Sequence, residues 1–200
     1  MKISMKRMFL LLGLLLVVVA LIVVSARIYF SILLPKWQRE EIMLTVEILA
    51  DSQTPISGDI MILGEKYGSY YKDVLGKHEE LVPSEEASIE RGIIAYGSKN
   101  KNQNTRNSLE FVYYFNNSGT LIGGKTLQYS YAAIANSLLQ AWGKGTKPYK
   151  YGDYHIYVLE NNGRIYFITD SQYRNSASLI VIGKEDAIYL ISHLFGKYLF

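Results

Sequence analysis

The sequence predicts an α+β protein, with one N-terminal transmembrane helix followed by a domain in which helices pack an antiparallel β-sheet. The first observation behind this prediction is an unbroken run of 17 apolar residues over 8–24. The second is that hairpin signals alternate with helical periodicity from residue 109 onward. Because a hairpin must bury its apolar face, these signals favour an antiparallel sheet with helices packed against it.

The N-terminal segment has the length and composition of a membrane anchor. Arg27 is the only charged residue over 8–34, and about 20 apolar residues cross a hydrocarbon core of ~30 Å. Arg27, Tyr29 and Trp37 are expected at the membrane interface, where a long cationic side chain and aromatic rings are favoured. Pro35 is expected to end the helix, since proline lacks the backbone N–H donor.

A cleaved signal peptide is the alternative interpretation of the same segment. Lys2, Lys6 and Arg7 form a basic start, and residues 24–26 resemble a small-residue cleavage site. The apolar run is longer than the 7–15 residues typical of signal peptides, which favours an uncleaved anchor. The basic residues next to the run favour a cytoplasmic N-terminus, although Arg27 and two further basic residues follow the run and weaken that bias.

This interpretation divides the chain into four parts. Residues 1–7 are expected to form a short cytoplasmic tail, 8–34 the anchor, 35–58 a stalk, and 59–200 an extracytoplasmic domain held at the cell membrane. Only about seven residues precede the apolar run.

Charge and cysteine content exclude several classes of protein. Residues 28–200 hold 17 basic and 18 acidic side chains, whereas a nucleic-acid-binding domain keeps a positive excess. The chain has no cysteine, which excludes disulfides, thiolate zinc sites and a cysteine nucleophile. The acids are concentrated over 40–90 and the bases over 91–200. Such a division indicates either ordinary solvated faces or a polarised surface that orients a partner.

Periodicity predicts most elements of the domain. Residues 37–50 fit a helix or a strand, with a slight preference for a helix, and 64–92 are expected to be loop with a short helix. A polar loop is expected over 98–108. Residues 60–63 fit a short buried strand or a packing segment. Strands are predicted over 93–96, 109–115, 120–127, 154–159, 164–169 and 179–182, and helices over 129–142 and 184–200. Turn residues at 116–119 and 160–163 predict that the strands on either side of each turn form a hairpin.

The order of these elements resembles that of a known group of domains. From residue 109 it is strand, strand, helix, three strands and helix, which is similar to profilin-like and PAS-like domains. The resemblance rests on element order alone and implies a sensor or scaffold domain.

Motifs for catalysis are absent from the sequence. It contains no HExxH, GxSxG, phosphate-binding or calcium-binding pattern, so no catalytic residue, metal site or cofactor is predicted. His155 and His193 are expected to be ordinary hydrogen-bonding residues. A metal site formed by these two with His78 would require long-range convergence, which the sequence does not show.

A carboxylate pair is the one catalytic alternative that remains. Glu110 with Asp153, Glu160 or Asp170 would provide the acid and base of an envelope hydrolase. Their spacing prefers no one pair.

The segment after the predicted helix carries the candidate binding residues. Tyrosine is abundant, with 17 in 200 residues, and it suits wet interfaces as well as strands. Lysines interleaved with tyrosines would form a rim for a protein partner, an anionic ligand or a glycan; the alternative is a solvated connection. The residues are Lys144, Lys147, Tyr149, Lys150, Tyr151 and Tyr154.

The sequence therefore predicts a membrane-anchored binding or scaffolding protein, not an enzyme, whose partners are the lipid bilayer and a protein of an envelope assembly. One alternative is a ligand sensor with a pocket between the sheet and the helix at 129–142. Given the short tail, it would signal through a membrane partner. The other is the envelope hydrolase.

Overall fold

The computed structural model describes residues 5–98, 110–129, 148–152, 154–171 and 176–195. These residues belong to two units, Met1–Glu40 and Glu41–Phe200. Almost all of the predicted helix over 129–142, and the polar loop beyond Ser98, lie outside the described residues.

The N-terminal part is helical from Met5 onward. Helix α1 (Met5–Ile28) leads into a π-helical turn (Tyr29–Leu33) and then helix α2 (Leu34–Ala50). The helical prediction for 37–50 is confirmed, but the prediction that Pro35 ends the helix is wrong. Proline has no N–H and its ring clashes with the carbonyl four residues earlier. In the π-helical turn the Leu34 N–H bonds to the Tyr29 oxygen, and this wider winding lets the helix continue through Pro35.

One helix in the described part of the chain, Leu12–Ala50, is long and apolar enough to cross a membrane. Its most apolar stretch is not buried within the protein. The helix is compatible with a single transmembrane span, and a signal sequence near the N-terminus would have the same character. Tyr29 contacts Phe30 and Trp37 edge-on, with ring centroids 5.2 and 5.8 Å away, so the predicted interfacial aromatic residues form a cluster.

An antiparallel sheet of eight strands organises the described part of the second unit, which confirms the α+β class. Its strand order is β3-β4-β5-β6-β10-β9-β8-β7, and β1 and β2 form a separate hairpin. The strands are β1 (Met61–Ile62), β2 (Glu65–Lys66), β3 (Leu81–Pro83), β4 (Ile94–Ser98), β5 (Glu110–Phe115), β6 (Leu121–Tyr129), β7 (Tyr149–Tyr151), β8 (Tyr154–Asn161), β9 (Arg164–Ser171) and β10 (Ser176–Gly183).

The two hairpins predicted from turn residues are present. Strands β5 and β6 flank the turn at 116–119, and β8 and β9 pair from His155 opposite Asp170 to Asn161 opposite Arg164. The second turn places Asn162 and Gly163 at positive φ, 52° and 75°. Asparagine and glycine tolerate this conformation best, which is why Asn-Gly predicts a tight hairpin.

Each face of the sheet buries its own core. The first face packs against Ile42 and Val46 of α2 and against the closing helix α4 (Ala187–Leu194). The second face packs against the β1–β2 hairpin and helix α3 (Tyr71–Lys77). Neighbouring residues of one strand therefore enter different cores, since side chains alternate across a sheet.

Candidate ligand-binding site

A cavity of about 320 Å³ lies on the second face of the sheet. Its volume is within the ~300–1,000 Å³ range of small-molecule sites. The described residues that line it are Leu63, His78, Phe111, Tyr113 and Thr126. Leu63 contributes hydrocarbon surface and Phe111 and Tyr113 contribute large aromatic rings, so the cavity is mainly apolar.

Strand pairing fixes the wall that the sheet contributes. Phe111 and Tyr113 stand two residues apart on β5 and therefore share a face. Thr126 of β6 is directly opposite Phe111 in the register of the two strands. The sheet therefore presents two aromatic rings and one hydroxyl to the cavity.

The β1–β2 turn contributes Leu63 to the cavity. The Tyr113 hydroxyl donates a hydrogen bond to the Leu63 carbonyl oxygen at 2.9 Å, which fastens the turn to the sheet. Gly124 allows the approach, because a Cβ at this position would lie 2.7 Å from the Leu63 side chain.

An ionic cluster holds His78 at the edge of the cavity. His78 Nε2 lies 3.2 Å from Glu65 Oε1, and Nδ1 lies 3.4 Å from Glu80 Oε1. Lys77 Nζ donates to Glu65 Oε2 at 2.7 Å. The His78 ring also packs against Tyr113 and Phe111, with centroids 5.7 and 6.2 Å apart. Its position is thus set by carboxylates on both nitrogens and by aromatic contacts.

Burial and charge have opposite effects on Glu65, which is 7% exposed. Burial raises the pKa of its carboxyl group, but hydrogen bonds and charges from Lys77 and His78 outweigh burial and leave the pKa below its usual value. Tyr113 behaves differently: burial, followed by the negative charges of Glu65 and Glu80, raises the pKa of its hydroxyl to about 12. At neutral pH the site therefore holds a Glu65 carboxylate and a protonated Tyr113.

The Thr126 hydroxyl is the anomaly of this site. Thr126 is 7% exposed, and within the described residues its Oγ1 has no hydrogen-bond partner. Buried polar groups are nearly always paired. An unpaired hydroxyl in a cavity wall is a group that a bound molecule can satisfy.

A second polar cluster lies on the first face of the sheet and has a different character. Lys125 Nζ donates to Glu86 Oε1 at 3.1 Å, and the Tyr114 hydroxyl donates to Glu86 Oε2. His193 Nε2 lies 2.9 Å from the Glu86 carbonyl oxygen; since a carbonyl only accepts, Nε2 carries the proton. Each of these groups has a partner, so the cluster ties the 84–92 loop to the sheet and to α4.

The predicted binding residues are only partly described. Lys144 and Lys147 lie outside the described residues. The Tyr149 hydroxyl pairs with Thr45 Oγ1 at 2.6 Å, and the Tyr151 ring packs edge-on against Phe195 with centroids 5.3 Å apart.

Lys150 and Tyr154 complete the described part of that predicted site. Lys150 is exposed and Tyr154 is half-buried opposite Tyr151. The proposed binding role of this segment stays a prediction.

Among the carboxylates of the hydrolase alternative, the structure describes the side chain of Glu160 alone, so a carboxylate pair stays a prediction. Glu160 accepts hydrogen bonds from Thr54 Oγ1 at 2.9 Å and from the Gly163 N–H at 3.1 Å, and so it closes the β8–β9 turn. The side chains of Glu110, Asp153 and Asp170 lie outside the described part of the chain. In that described part, no three histidine or acidic side chains converge as a metal site.

Sequence reasoning did not assign Leu63, Phe111, Tyr113 or Thr126 to a site. A signal was present in the alternation of Phe111 and Tyr113 on one strand face. Its meaning depends on the opposite strand and on a turn about 50 residues earlier, which a single sequence does not align.

Comparison with known proteins finds no matching family model, no matching curated protein and no matching solved structure. The similarity in element order to profilin-like and PAS-like domains therefore has no support from a solved structure.

Proposed function

We propose that this chain is a membrane-anchored ligand-binding protein whose C-terminal domain takes a small apolar molecule into the cavity on the second face of the sheet. The observation that carries the proposal is a cavity of about 320 Å³ whose wall includes the buried, unpartnered Thr126 hydroxyl. Apolar cavities with a few convergent polar groups are typical of ligand sites.

A thermal-shift screen of small aromatic and aliphatic compounds tests this proposal on the full chain in detergent. A ligand at about 100 times its Kd stabilises a protein by about 2.7 kcal/mol, which corresponds to a Tm rise of about 5 to 10 °C for a domain of this size. We expect at least one compound to produce such a rise.

Two variants locate the binding to the cavity. Phe111→Trp enlarges a wall residue into the cavity and should abolish the rise in Tm. Phe30→Trp makes the same change on the N-terminal helix, where Phe30 is 64% exposed, and should preserve the rise. Equal shifts in wild type and Phe111→Trp, or no shift with any compound, would refute the proposal.

The proposal places the binding domain outside the cytoplasm, with the N-terminal helix retained in the membrane. The apolar character of Leu12–Ala50 supports the anchor, and the basic residues before it support the orientation. A C-terminal reporter should be active outside the cytoplasm only, on a chain that keeps its N-terminus. Cytoplasmic activity, or mature protein that begins near Arg27, would overturn this part.

Scaffolding of a protein partner is the second candidate, favoured by one surface. Ile89 is 99% exposed on the loop between β3 and β4. Arg91 Nη1 fastens that loop to the Ser192 carbonyl at 3.1 Å, next to the half-exposed Ile188 and Tyr189 of α4. Exposed apolar groups held in place in this way are typical of interaction surfaces.

Site-specific photo-crosslinking in cells tests this second candidate. A photoreactive residue at position 89 should give one discrete adduct. The same residue at position 72 should give none, because Lys72 is exposed on α3 against the other face of the sheet. Similar adducts from both positions would argue against a specific partner surface at Ile89.

A further inference from the structure

The polar groups of the cavity differ in whether they are already satisfied. The Tyr113 hydroxyl donates its proton to the Leu63 carbonyl oxygen, and both ring nitrogens of His78 face carboxylate oxygens. Of the described lining residues, Thr126 alone has a buried side-chain polar atom without a partner. Among the described lining residues, Thr126 Oγ1 is therefore the buried polar atom that a hydrogen bond from a ligand would newly satisfy.

The charges around the cavity argue for an uncharged ligand. Glu65 is paired with Lys77 and His78, and His78 is also paired with Glu80. The carboxylates of Glu65 and Glu80 at the edge of the cavity therefore each have a partner within the protein. A charged ligand would lose its hydration among Leu63, Phe111 and Tyr113 without gaining an opposite charge, which is unfavourable.

The volume and the walls indicate the size and shape of the ligand. An engineered apolar cavity of about 150 Å³ holds benzene, and this cavity is about twice as large. Phe111 and Tyr113 meet edge to face at 5.5 Å, and His78 is tilted against Tyr113. Aromatic walls of this kind favour an aromatic guest, because ring edges and faces attract one another.

We propose that the cavity takes an uncharged aromatic ligand about the size of two fused rings, whose single hydroxyl or carbonyl oxygen forms a hydrogen bond with Thr126 Oγ1. This inference rests on the proposed ligand-binding function and specifies its ligand class. The threonine hydroxyl is able to donate or to accept, so either oxygen type satisfies it.

Three probes of one shape test the inference on the full chain in detergent: naphthalene, 2-naphthol and 2-naphthoate. Isothermal titration calorimetry gives a Kd for each probe with wild type and with Thr126→Val, which keeps the side-chain shape but removes the hydroxyl. Because the detergent takes up each probe equally for every variant, the ratio of the naphthalene Kd to the naphthol Kd is compared between variants.

We expect the ratio of the naphthalene Kd to the 2-naphthol Kd to be about 2- to 10-fold larger in the wild type than in Thr126→Val. Thr126→Ser retains the hydroxyl and should restore most of this preference. The anionic 2-naphthoate should bind most weakly to every variant.

The outcomes separate the inference from the function on which it rests. If naphthalene and 2-naphthol bind and Thr126→Val leaves their ratio unchanged, the hydrogen bond to Thr126 is refuted while ligand binding stands. Tightest binding by 2-naphthoate would refute the uncharged class. Failure of all three probes, while other compounds bind in the thermal-shift screen, would refute the aromatic class alone.

Discussion

Two neighbouring residues of β6 are equally buried, but among the described residues one has a hydrogen-bond partner and the other has none. Lys125 and Thr126 are each 7% exposed. Lys125 enters the first face of the sheet and bonds to the Glu86 carboxylate, which also accepts from Tyr114. Thr126 enters the second face, where, within the described chain, its hydroxyl has no partner.

The difference follows from what each group costs when it is unpaired. A buried charge without a partner is strongly unfavourable, so Lys125 requires its network. A buried hydroxyl costs only about 1–3 kcal/mol, which a folded domain tolerates beside a cavity. At these two positions, the first face pairs its buried polar group, whereas the second face leaves a hydroxyl unpaired among the described residues, at the proposed ligand site. Substitutions on the two faces should therefore have different consequences.

The largest expected effect is on the first face. Glu86→Ala removes the carboxylate that bonds to Lys125 and Tyr114, and we expect the free energy of unfolding to fall by about 3 kcal/mol. Urea unfolding of the full chain in detergent measures this loss as a lower midpoint with an unchanged m value.

Glu90→Ala is the matched control for that variant. Glu90 lies on the same loop but is exposed, so its removal should change the stability by less than about 0.5 kcal/mol. If Glu86→Ala were as stable as Glu90→Ala, the ion pair would not hold the first face together.

A smaller loss is expected where the second face is fastened. Tyr113→Phe removes the hydrogen bond to the Leu63 carbonyl and leaves that oxygen without its donor, which should lower the stability by about 1–2 kcal/mol. Tyr70→Phe is the control, since Tyr70 is 42% exposed. Equal urea midpoints for the two variants would contradict the role of Tyr113.

Each face also contains a buried threonine, and replacing it with valine should change the free energy of unfolding in opposite directions on the two faces. Thr169 lies on the first face, 3% exposed, and its hydroxyl pairs with Ser178 Oγ at 2.5 Å. Thr169→Val should lower the free energy of unfolding by about 1 kcal/mol, whereas Thr126→Val should raise it by about the same amount. Losses of equal size in both variants would show that Thr126 is satisfied in the ligand-free protein.

Local patterns were enough to predict the β5–β6 and β8–β9 hairpins. In each, two alternating segments flank a turn whose residues suit the required backbone, as Asn162 and Gly163 do at positive φ. The apolar N-terminal helix could also be predicted from local sequence alone. The prediction that Pro35 ends the helix was wrong because it did not consider a π-helical turn, which accommodates the proline.

The candidate site could not be predicted because it is made by long-range contacts. Thr126 meets Phe111 only through strand pairing, and Leu63 reaches Tyr113 across 50 positions of sequence. Glu65 is an ordinary acid in the sequence, and its ion pairs depend on Lys77 at the end of α3 and on His78 directly after it. Sequence periodicity gives the face of each residue but not which faces meet.

The smallest expected effect concerns the stabilisation by Glu65, at the edge of the cavity, and its dependence on pH. Glu65→Gln should cost less than about 1 kcal/mol at neutral pH, because Lys77 is 62% exposed and solvent screens the pair. The pKa of Glu65 is lowered in the folded protein from its usual value of 4.5, so the unfolded chain binds the proton first as the pH falls. The stabilisation by Glu65 is therefore present above pH 4.5 and is lost as the pH falls through the folded-state pKa.

Urea midpoints measured from neutral pH downward should fall more steeply below about pH 4.5 for wild type than for Glu65→Gln. Parallel profiles would show that Glu65 is not held as a carboxylate by Lys77 and His78.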